Sequence, residues 1–446
     1  MLTTLYWFTQ DLRLDDNPAL IRAAQSDALL CVFCVDQRWF NPHRYHISSM
    51  GSHRWHFLQQ ALEDLTSALS ALNQHLYIEY GFPEQQLISL IARHKISRLI
   101  CSRQVGSDER KVLRILKERF PKLDIVQVDN YTLFDQAQMQ TMSLELENGF
   151  TPFRKQVENL RVPATAQAPM SLPRPILRSV PDPAQPQWIP VSYRRPPASQ
   201  TLHSIAATGG GEQAGKRHLH TYFNSDLPSG YKEVRDQLDG WENSSKLSPW
   251  LNQGCLSARR VAQTLRDYEA RHDSNESTRW LLFELFWREY FQWLALIIGD
   301  KLYAQKGLKQ KPQHGCLHPE RYQKWCHGNT PWPLINACMR QLRETGYLSN
   351  RGRQIAASCF VNELGMDWRY GAAWFEHQLI DYDVAVNWGN WQYIAGVGVD
   401  PRGGRHFDIE KQTALYDPHR AYVHRWAPDA PEPALDSVDA ADWPIG

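Results

Sequence analysis

The first third of the chain alternates short apolar runs with segments whose apolar residues recur at helical spacing. The apolar runs, rich in β-branched and aromatic residues, predict strands at 5–8, 28–35, 75–80, 98–102 and 124–129. Between them, the spacing predicts helices at 18–25, 52–72, 84–94 and 108–120. Strands that alternate with helices are typical of a parallel, doubly wound α/β sheet. No GxGxxG follows the first strand, so this region gives no sign of a dinucleotide site.

The pattern changes after this alternation ends. Residues 161–199 are rich in proline and irregular, which favours an extended connector over a packed element. Beyond residue 201 strand signals stop, and the spacing predicts helices at 212–223, 257–271, 277–299, 332–345, 351–364 and 368–380. The sequence therefore predicts four parts: an α/β domain at 1–135, a connector at 136–200, an all-α domain at 201–426 and a short, acidic, proline-containing tail at 427–446.

Length and charge restrict the possible domain organisation and function only slightly. A chain of 446 residues is too long for one ordinary core, which agrees with two domains. Its 49 Lys and Arg balance 48 Asp and Glu, so any nucleic-acid site must be a local basic patch. The start, MLTTLYWFTQDLRLDD, lacks the features of a signal or transit peptide, and no apolar run approaches membrane-spanning length. We therefore expect a soluble, cytoplasmic protein.

The eight cysteines indicate buried thiols in a reducing compartment, because most lie inside apolar runs. Cys31 and Cys34 form a CxxC, but they lie within ALLCVFCVD, which is typical of a buried strand rather than of a redox motif at a helix start. Cys326 and His327 have no second pair at zinc-finger spacing. The sequence predicts no metal site.

Two segments of the predicted helical domain could bind phosphate. The run Gly209 to Gly211 opens a helix, but no strand precedes it, and an ordinary loop-to-helix start explains it better. In NSSKLSPW, Ser244, Ser245 and Ser248 surround Lys246, which gives the short donors and the cation that a diphosphate requires. Serines before a helix are equally common as N-caps, so both interpretations stand.

Charged residues interrupt one face of the helix RWLLFELFWREYFQW. Trp280, Glu284, Trp287 and Phe291 share this face, and Arg288 lies beside it. Buried charges require partners or a cavity. The segment is therefore either a pocket wall or the site of a buried ion pair to a neighbouring helix.

The segment LSNRGRQ predicts a helix that begins with Asn350 as N-cap and carries Arg351 and Arg353 in its first turn. Cations at a helix N-terminus oppose its dipole, so an anion should compensate them. Asp381 and Asp383 are the candidates within the chain, and an anionic ligand is the alternative.

These segments, in order and spacing, resemble the photolyase and cryptochrome family. The resemblance covers nearly the whole chain, and TPFRK, SNRGRQ and NWGNWQY point to the DASH branch. The matching pieces are WFTQDLRLDDNPAL, TPFRKQVE, YKEVRDQL, SSKLSPWLNQGCLS, ELFWREYF, TGYLSNRGRQ, DWRYGAAWFEHQLIDYD, NWGNWQYIAGVG and DPRGGRHF.

The resemblance implies that FAD binds within the helical domain. It implies that the phosphates and ribitol are held by Tyr231, Ser244, Ser245, Lys246, Leu247 and Ser248. It also implies that Glu284, Trp287 and Arg288 border the cofactor and substrate cavity. An ion pair between Arg353 and Asp381 would lie over the flavin, Asp383 would accept a hydrogen bond from a ring N–H, and Asn387 would face flavin N5.

The implied reaction is light-driven repair of cyclobutane pyrimidine dimers, mainly in single-stranded or loosened DNA, by an electron from excited reduced FAD. Trp287 and Tyr393 would pack against the flipped bases and Glu284 would hydrogen-bond them. Asn350 and Gln354 stand where photolyases for the other pyrimidine photoproduct carry a histidine pair, which favours cyclobutane dimers.

The resemblance also implies an electron relay and an antenna. Trp391 and Trp368 match the two inner members of a tryptophan relay. The position of the third member falls near Gly315, where the chain has no tryptophan. Either the relay ends early, or another aromatic residue replaces the third member, with Trp325, Trp332 and Tyr347 as the candidates. Methenyltetrahydrofolate is the usual antenna of this branch, and Glu109 matches the acid that holds it. A solvated glutamate at a helix start explains Glu109 nearly as well.

DNA contacts should come from basic residues around the cavity mouth, although any of these could be an ordinary surface charge. The candidates are Arg154, Lys155, Arg351, Arg402, Arg405 and Arg425.

Two other functions stay open. A blue-light photoreceptor with little repair is the first, weakened because the chain ends about twenty residues after Trp426. A flavin- or folate-binding protein without photochemistry is the second. We expect a monomer.

Overall fold

The computed structural model describes residues 1–142, 146–177, 186–194, 209–312, 315–399 and 403–429. Its first part is a parallel sheet with the strand order β3-β2-β1-β4-β5. These strands are β1 (Thr3–Phe8), β2 (Ala28–Asp36), β3 (Leu76–Gly81), β4 (Arg98–Ser102) and β5 (Asp124–Val128). Every residue of β2 is buried, as expected for a strand covered on both faces.

Helices connect the strands and cover the sheet. They are α1 (Pro18–Ala23), α2 (Ser52–Ser70), α3 (Pro83–His94) and α4 (Ser107–Arg119). All five predicted strands and the four helices between them are present, which confirms the doubly wound fold class.

The segment predicted as a connector is more structured than expected. It contains α5 (Gln136–Gln140), α6 (Phe150–Val157) and a two-residue strand, β6 (Arg174–Pro175), that pairs with the start of β2. Ile189 is fully buried in the main core. Between 161 and 199 the described residues are mostly irregular, as expected of an extended connector, although β6 and the buried Ile189 pack against the rest of the protein. Residues 178–185 and 195–208 lie outside the described part.

The second part is helical, as predicted. Its helices are α7 (Glu212–Phe223), α8 (Tyr231–Val234), α9 (Ser248–Asn252), α10 (Ala258–His272), α11 (Glu276–Ile298), α12 (Pro319–His327), α13 (Pro333–Thr345), α14 (Asn350–Ser358), α15 (Trp368–Gln378), α16 (Val384–Ile394), α17 (Ile409–Tyr416) and α18 (Ala421–Trp426). The helix predicted at 351–364 is in fact α14 followed by a π-helical turn, Cys359–Glu363.

A buried arginine joins the two domains. Arg13 is 1% exposed and donates to the carbonyl oxygens of Asp16 (2.8 Å), Asn130 (2.8 Å) and Gly254 (2.9 Å). Gly254 belongs to the helical domain, so one guanidinium fixes the loop after β1 against residues more than two hundred positions later. Its planar set of donors suits several acceptors at once.

Two buried carboxylates of the helical domain receive backbone N–H groups from the α/β domain. Glu212 accepts from Leu14 at 2.7 Å, and Glu289 accepts from Leu133 at 2.7 Å. Burial raises the pKa of Glu289, and these hydrogen bonds oppose that rise. The domain interface is thus held by buried polar contacts as well as by apolar packing.

The cysteines and the membrane expectation can be compared directly with the structure. All eight thiols are free, and all except Cys316 are buried. Cys31 and Cys34 lie inside β2, where burial raises the pKa of both, in agreement with a packing role. Within the described ranges, no helix has the length and apolar character needed to cross a membrane. The same ranges contain no cluster of three potential metal ligands.

Replacing Arg13 should weaken the domain interface strongly. Arg13→Met leaves several buried carbonyl groups without a donor, so we expect the free energy of unfolding to fall by about 3 kcal/mol. Urea unfolding followed by far-UV circular dichroism measures this loss. The matched variant Arg22→Met, at an exposed arginine of α1, should change it by less than about 0.5 kcal/mol. Equal effects of the two variants would contradict the assignment.

Candidate functional site

The helical domain encloses a cavity of about 270 Å³. One wall is apolar and comes from Val261 and Leu265 of α10 and from Leu281 and Leu285 of α11. The opposite side is polar and is formed by residues 243–248, the start of α14 and the segment before α16. The cavity therefore offers an apolar slot beside a surface of hydroxyls and charges, as pockets for organic cofactors do.

The serine-rich turn predicted as a diphosphate cradle lines this cavity. Lys246 is 9% exposed and has a left-handed backbone with φ of 52°, a strained conformation often found at functional sites. Its ammonium donates to the Ser244 hydroxyl at 3.1 Å. Helix α9 is preceded by Leu247 and has no side-chain cap, so the serines do not serve as its N-cap.

A buried ion pair crosses the cavity wall. The Asp381 carboxylate is 3% exposed and accepts two hydrogen bonds from Arg353 Nη2, at 2.8 and 2.9 Å. It also accepts from the Ser248 hydroxyl at 2.6 Å. Three segments distant in sequence thus meet at one carboxylate, and the pairing expected between Arg353 and Asp381 is present.

Asp383 has different partners from those expected. It accepts from the Tyr131 hydroxyl at 2.7 Å and from Gln292 at 2.8 Å, and it caps α16 through the N–H of Val386. No arginine among the described residues pairs with it in the structure. The suggestion that Asp383 compensates the arginines of α14 was therefore wrong.

The start of α14 also corrects the sequence analysis. Ser349, and not Asn350, is the N-cap, and its hydroxyl accepts from the N–H of Gly352. Arg351 pairs with Asp236 at 3.2 Å and lies 4.8 Å from the centre of the Tyr416 ring. Its compensating anion is therefore neither of the two acids proposed from sequence.

Glu284 satisfies both interpretations offered for it. It lines the cavity, and it pairs with Arg235 at 2.8 Å while accepting from Trp280 Nε1 at 3.0 Å. Burial raises the pKa of Glu284, and the Arg235 guanidinium opposes the rise. Glu284 is thus an oriented carboxylate at the cavity wall.

Trp287 and Tyr393 lie beside each other, with ring centres 6.2 Å apart. Phe150 stacks on Trp287 at 3.7 Å and covers one of its faces, while Arg405 donates to the Tyr393 hydroxyl. Phe291 also stacks near Trp287, with ring centres 5.8 Å apart, so a base packing here would meet the part of the indole that the two phenylalanines leave uncovered.

The other predicted site residues are distributed around the same cavity. Tyr231, Arg288 and the exposed Asn350 line it, and Arg288 donates to the Tyr131 carbonyl at 2.8 Å. Asn387 is 8% exposed and donates to the Ala372 carbonyl, and Gln354 is half-buried on α14.

The two predicted relay tryptophans are buried in adjoining helices. Trp391 on α16 lies against Gly371 of α15, where a Cβ would stand 2.3 Å from the indole. Trp368, also on α15, is 1% exposed and donates from Nε1 to the Gln305 carbonyl at 3.0 Å. Trp325 is also near, with its ring centre 6.3 Å from that of Trp391.

A second cavity, of about 670 Å³, lies between the two domains. Glu109 lines it together with residues of the α/β domain such as Arg38 and residues of the helical domain such as Trp388 and Glu376. Glu109 is half-buried, and burial raises its pKa. Its position at a cavity wall differs from that of a freely solvated glutamate.

The basic residues predicted to contact DNA differ in their exposure and in their ion pairs. Lys155 is exposed on α6, next to the partly exposed Arg154, which lies 3.7 Å from Glu158. Arg425 pairs with Asp239 at 3.0 Å. Arg402 lies outside the described residues.

The glycine run at 209–211 packs against α2. The N–H of Gly210 donates to Gln60, and the N–H of Glu212 donates to Asp64, both on α2. This geometry agrees with the simpler interpretation, a loop that opens a helix.

Three residues of the site were missed in the sequence. Arg235 lies four positions after Tyr231 and could have been found from that helical spacing. Tyr131 and Gln292 both bind Asp383, but their meeting depends on tertiary packing and has no local signal.

Comparison with known proteins identifies the family. Residues 4–173 match the family described as DNA photolyase, and residues 280–440 match the FAD binding domain of DNA photolyase. A cryptochrome DASH from Idiomarina loihiensis is 46% identical over 99% of this chain and 96% of its own length. One from Vibrio parahaemolyticus is 42% identical over 99% and 97%. The crystal structure of a Synechocystis cryptochrome superposes with a TM-score of 0.88 at 35% identity, covering 100% of this chain and 96% of that one.

The chain therefore belongs to the photolyase and cryptochrome family, and within it to the DASH cryptochromes. The cavity of the helical domain fits the FAD of this family. Its hydroxyls and Lys246 suit a diphosphate, its leucines suit a flat ring system, and the Arg353–Asp381 pair supplies oriented charges beside it.

Removing the buried carboxylate at this wall should destabilise the helical domain. Asp381→Asn leaves the Arg353 guanidinium without its anion, so we expect a loss of about 3 kcal/mol in the free energy of unfolding of the flavin-free protein. Asp124→Asn makes the same chemical change at an exposed ion pair with Arg98, and it should cost less than about 1 kcal/mol. Urea unfolding of the two variants tests this; similar losses would contradict the assignment.

Proposed function

We propose that this DASH cryptochrome uses light to repair cyclobutane pyrimidine dimers, mainly in single-stranded or loosened DNA. The observation that carries the proposal is an oriented carboxylate, Glu284, at the wall of the flavin cavity, on the same helix as Trp287, whose ring centre lies 6.2 Å from that of Tyr393. A flipped pyrimidine pair needs flat partners and a group that hydrogen-bonds its edges. Flipping costs least where the bases are already unpaired, which favours loosened DNA.

The flavin supplies the light-driven electron transfer, and the residues of the chain bind and orient the reactants. Ser244 and Lys246 hold the diphosphate, with Ser245, Leu247 and Tyr231 nearby. Arg353 and Asp381 fix the orientation of the ring system. Ser248, Arg288, Asn350 and Asp383 also line the cavity, and we propose that Gln354 and Asn387 complete the site.

The raised pKa of Glu284 supports its part in substrate binding. A carboxyl group that gains a proton more readily can donate a hydrogen bond to a pyrimidine carbonyl as well as accept one from an N–H. Arg235 holds it in place in either state.

DNA affinity comes from basic residues at the rim, chiefly Arg154, Lys155 and Arg405. Such contacts with phosphate are independent of sequence and weaken with salt. Arg351 and Arg425 contribute less, because their ion pairs with Asp236 and Asp239, at 3.2 and 3.0 Å, are closer than the 3.7 Å contact between Arg154 and Glu158. The protein acts as a monomer in the cytoplasm, where the reducing conditions suit its free thiols.

The inter-domain cavity holds the antenna, which we propose to be methenyltetrahydrofolate. Glu109 lies at its wall with a raised pKa, as suits an acid that hydrogen-bonds a pterin ring. Arg38 and Trp39 line the same space and provide a cation and a flat surface.

The second candidate is a blue-light photoreceptor with a signalling output. The buried tryptophans Trp391 and Trp368 favour it as much as they favour repair, because photoreduction of a flavin serves both functions.

Repair and signalling are separated by one assay. The chemically reduced protein is illuminated with oligonucleotides that carry dimers, single-stranded or duplex, and loss of the lesion is followed. We expect repair, faster on the single strand. Glu284→Gln should lower it by about tenfold, because a hydrogen bond from the cavity wall is weakened.

The matched control Glu276→Gln changes an exposed glutamate of the same helix and should repair normally. Flavin content is measured in each variant. Absence of repair in a protein with full flavin content would favour the photoreceptor.

The antenna proposal predicts that Glu109→Gln binds folate less well. Reconstitution with methenyltetrahydrofolate should give about tenfold weaker binding, because a buried hydrogen bond to a charged group is lost. Glu118→Gln, at an exposed position of α4, should bind normally. Unchanged folate affinity in Glu109→Gln would exclude this role.

A further inference from the structure

The predicted relay lacks its outer tryptophan, but the structure offers another ring. Trp388 on α16 lies with its ring centre 5.8 Å from that of Trp368. It is 3% exposed and forms part of the wall of the inter-domain cavity. Helix α15 therefore carries both Gly371, against which Trp391 packs, and Trp368, which lies next to Trp388 at the inter-domain cavity.

The indole N–H of Trp388 has a different kind of partner from those of Trp368 and Trp325. It donates to the Tyr382 hydroxyl at 3.0 Å, and hydrogen bonding from Tyr382 and Trp388 stabilises the ionised Glu376 carboxylate. By contrast, Trp368 and Trp325 donate to backbone carbonyls, of Gln305 and Ala356. A carbonyl oxygen cannot hold a proton at neutral pH, whereas a carboxylate can.

We propose that Trp388 is the outer member of the electron relay and that its indole proton passes through Tyr382 to Glu376. This inference rests on the proposed photochemistry of the flavin. It would place the end of the relay inside the inter-domain cavity and not near Gly315.

The proposed relay moves one electron along three tryptophans and one proton from Trp388 to Glu376. Trp391 gives one electron to the light-excited flavin and regains one from Trp368, which regains one from Trp388. The oxidised indole of Trp388 loses its N–H proton to the Tyr382 oxygen, while the Tyr382 proton moves to Glu376. The neutral radical left at Trp388 is later reduced by an external thiol, which supplies one electron and one proton.

The surroundings of Glu376 suit a proton acceptor. Burial raises the pKa of Glu376 to about 7, while Arg54, Tyr382 and Trp388 lower it and Asp108 raises it. An acceptor with a pKa near ambient pH is available in its ionised form and still holds the proton once it arrives. Arg54 also lies 4.5 Å from the centre of the Tyr382 ring.

Tyr45, one of two tyrosines whose rings pack against Trp388, is a poorer final donor than Trp388. The rings of Tyr303 and Tyr45 lie 5.1 and 5.9 Å from it. The buried Tyr45 hydroxyl has no hydrogen-bond partner among the described residues, so no base receives its proton. Oxidation of a phenol requires loss of that proton.

Transient absorption after a laser flash tests the proposal, because the cation and neutral radicals of tryptophan absorb differently. In the flavin-containing protein we expect a long-lived neutral radical, which Trp388→Phe should lose. Trp325→Phe is the matched control, since it removes another buried indole beside Trp391, and it should keep the radical. Glu376→Gln should form the radical as the cation, without conversion to the neutral form.

Flavin content and thermal unfolding show whether each variant is folded. If Trp388→Phe is unstable, Glu376→Gln and Tyr382→Phe test the proposal through the conversion of the radical from cation to neutral form. A neutral radical of unchanged yield in Trp388→Phe would overturn the proposal, as would its loss in Trp325→Phe. A neutral radical that forms normally in Glu376→Gln and Tyr382→Phe would overturn the proton path. Repair by chemically reduced protein does not need the relay, so it tests the proposed function separately.

Discussion

The cost of burying charge is the constraint on which the helical domain depends. Asp381 is almost completely withdrawn from solvent, and a carboxylate there is tolerated only with a cation and further donors in contact. Arg353 and Ser248 supply them, so α14, α9 and the segment before α16 can pack in one arrangement only. The polar wall of the cavity follows from that arrangement. A site for a charged cofactor is thus formed by the same contacts that fix the helices.

The two cavities are alike in this respect. Each is lined by an acid with a raised pKa, Glu284 in one and Glu376 in the other, and each acid lies near an arginine and an indole N–H. Burial raises the pKa of both carboxyl groups, so each binds a proton more readily than a solvated glutamate does. Helices α15 and α16 carry Trp368, Trp388 and Trp391. Val386 of α16 lines the cavity of the helical domain, and Glu376 of α15 and Trp388 of α16 line the inter-domain cavity.

Much of the fold could be predicted from the sequence because its signals are local. Apolar runs and helical spacing located the five strands of the sheet, whereas β6 is only two residues long and depends on pairing with a strand far earlier in the chain. The serine-rich turn and the Arg353–Asp381 pair were found from residue type and resemblance. Arg351 was paired with the wrong acids, since its contact with Asp236 is set by how α14 packs, and adjacent Ser349 and Asn350 are both good caps.

Arg13 has a consequence for the order in which the protein becomes complete. The loop after β1 leaves the ribosome long before Gly254 has been translated, so during synthesis this guanidinium lacks one of its final acceptors. Domains generally fold as units, the N-terminal one first. The newly made sheet domain therefore lacks these contacts until the helical domain has been synthesised. A chain truncated before residue 254 would expose polar groups of this interface to chaperones and proteases.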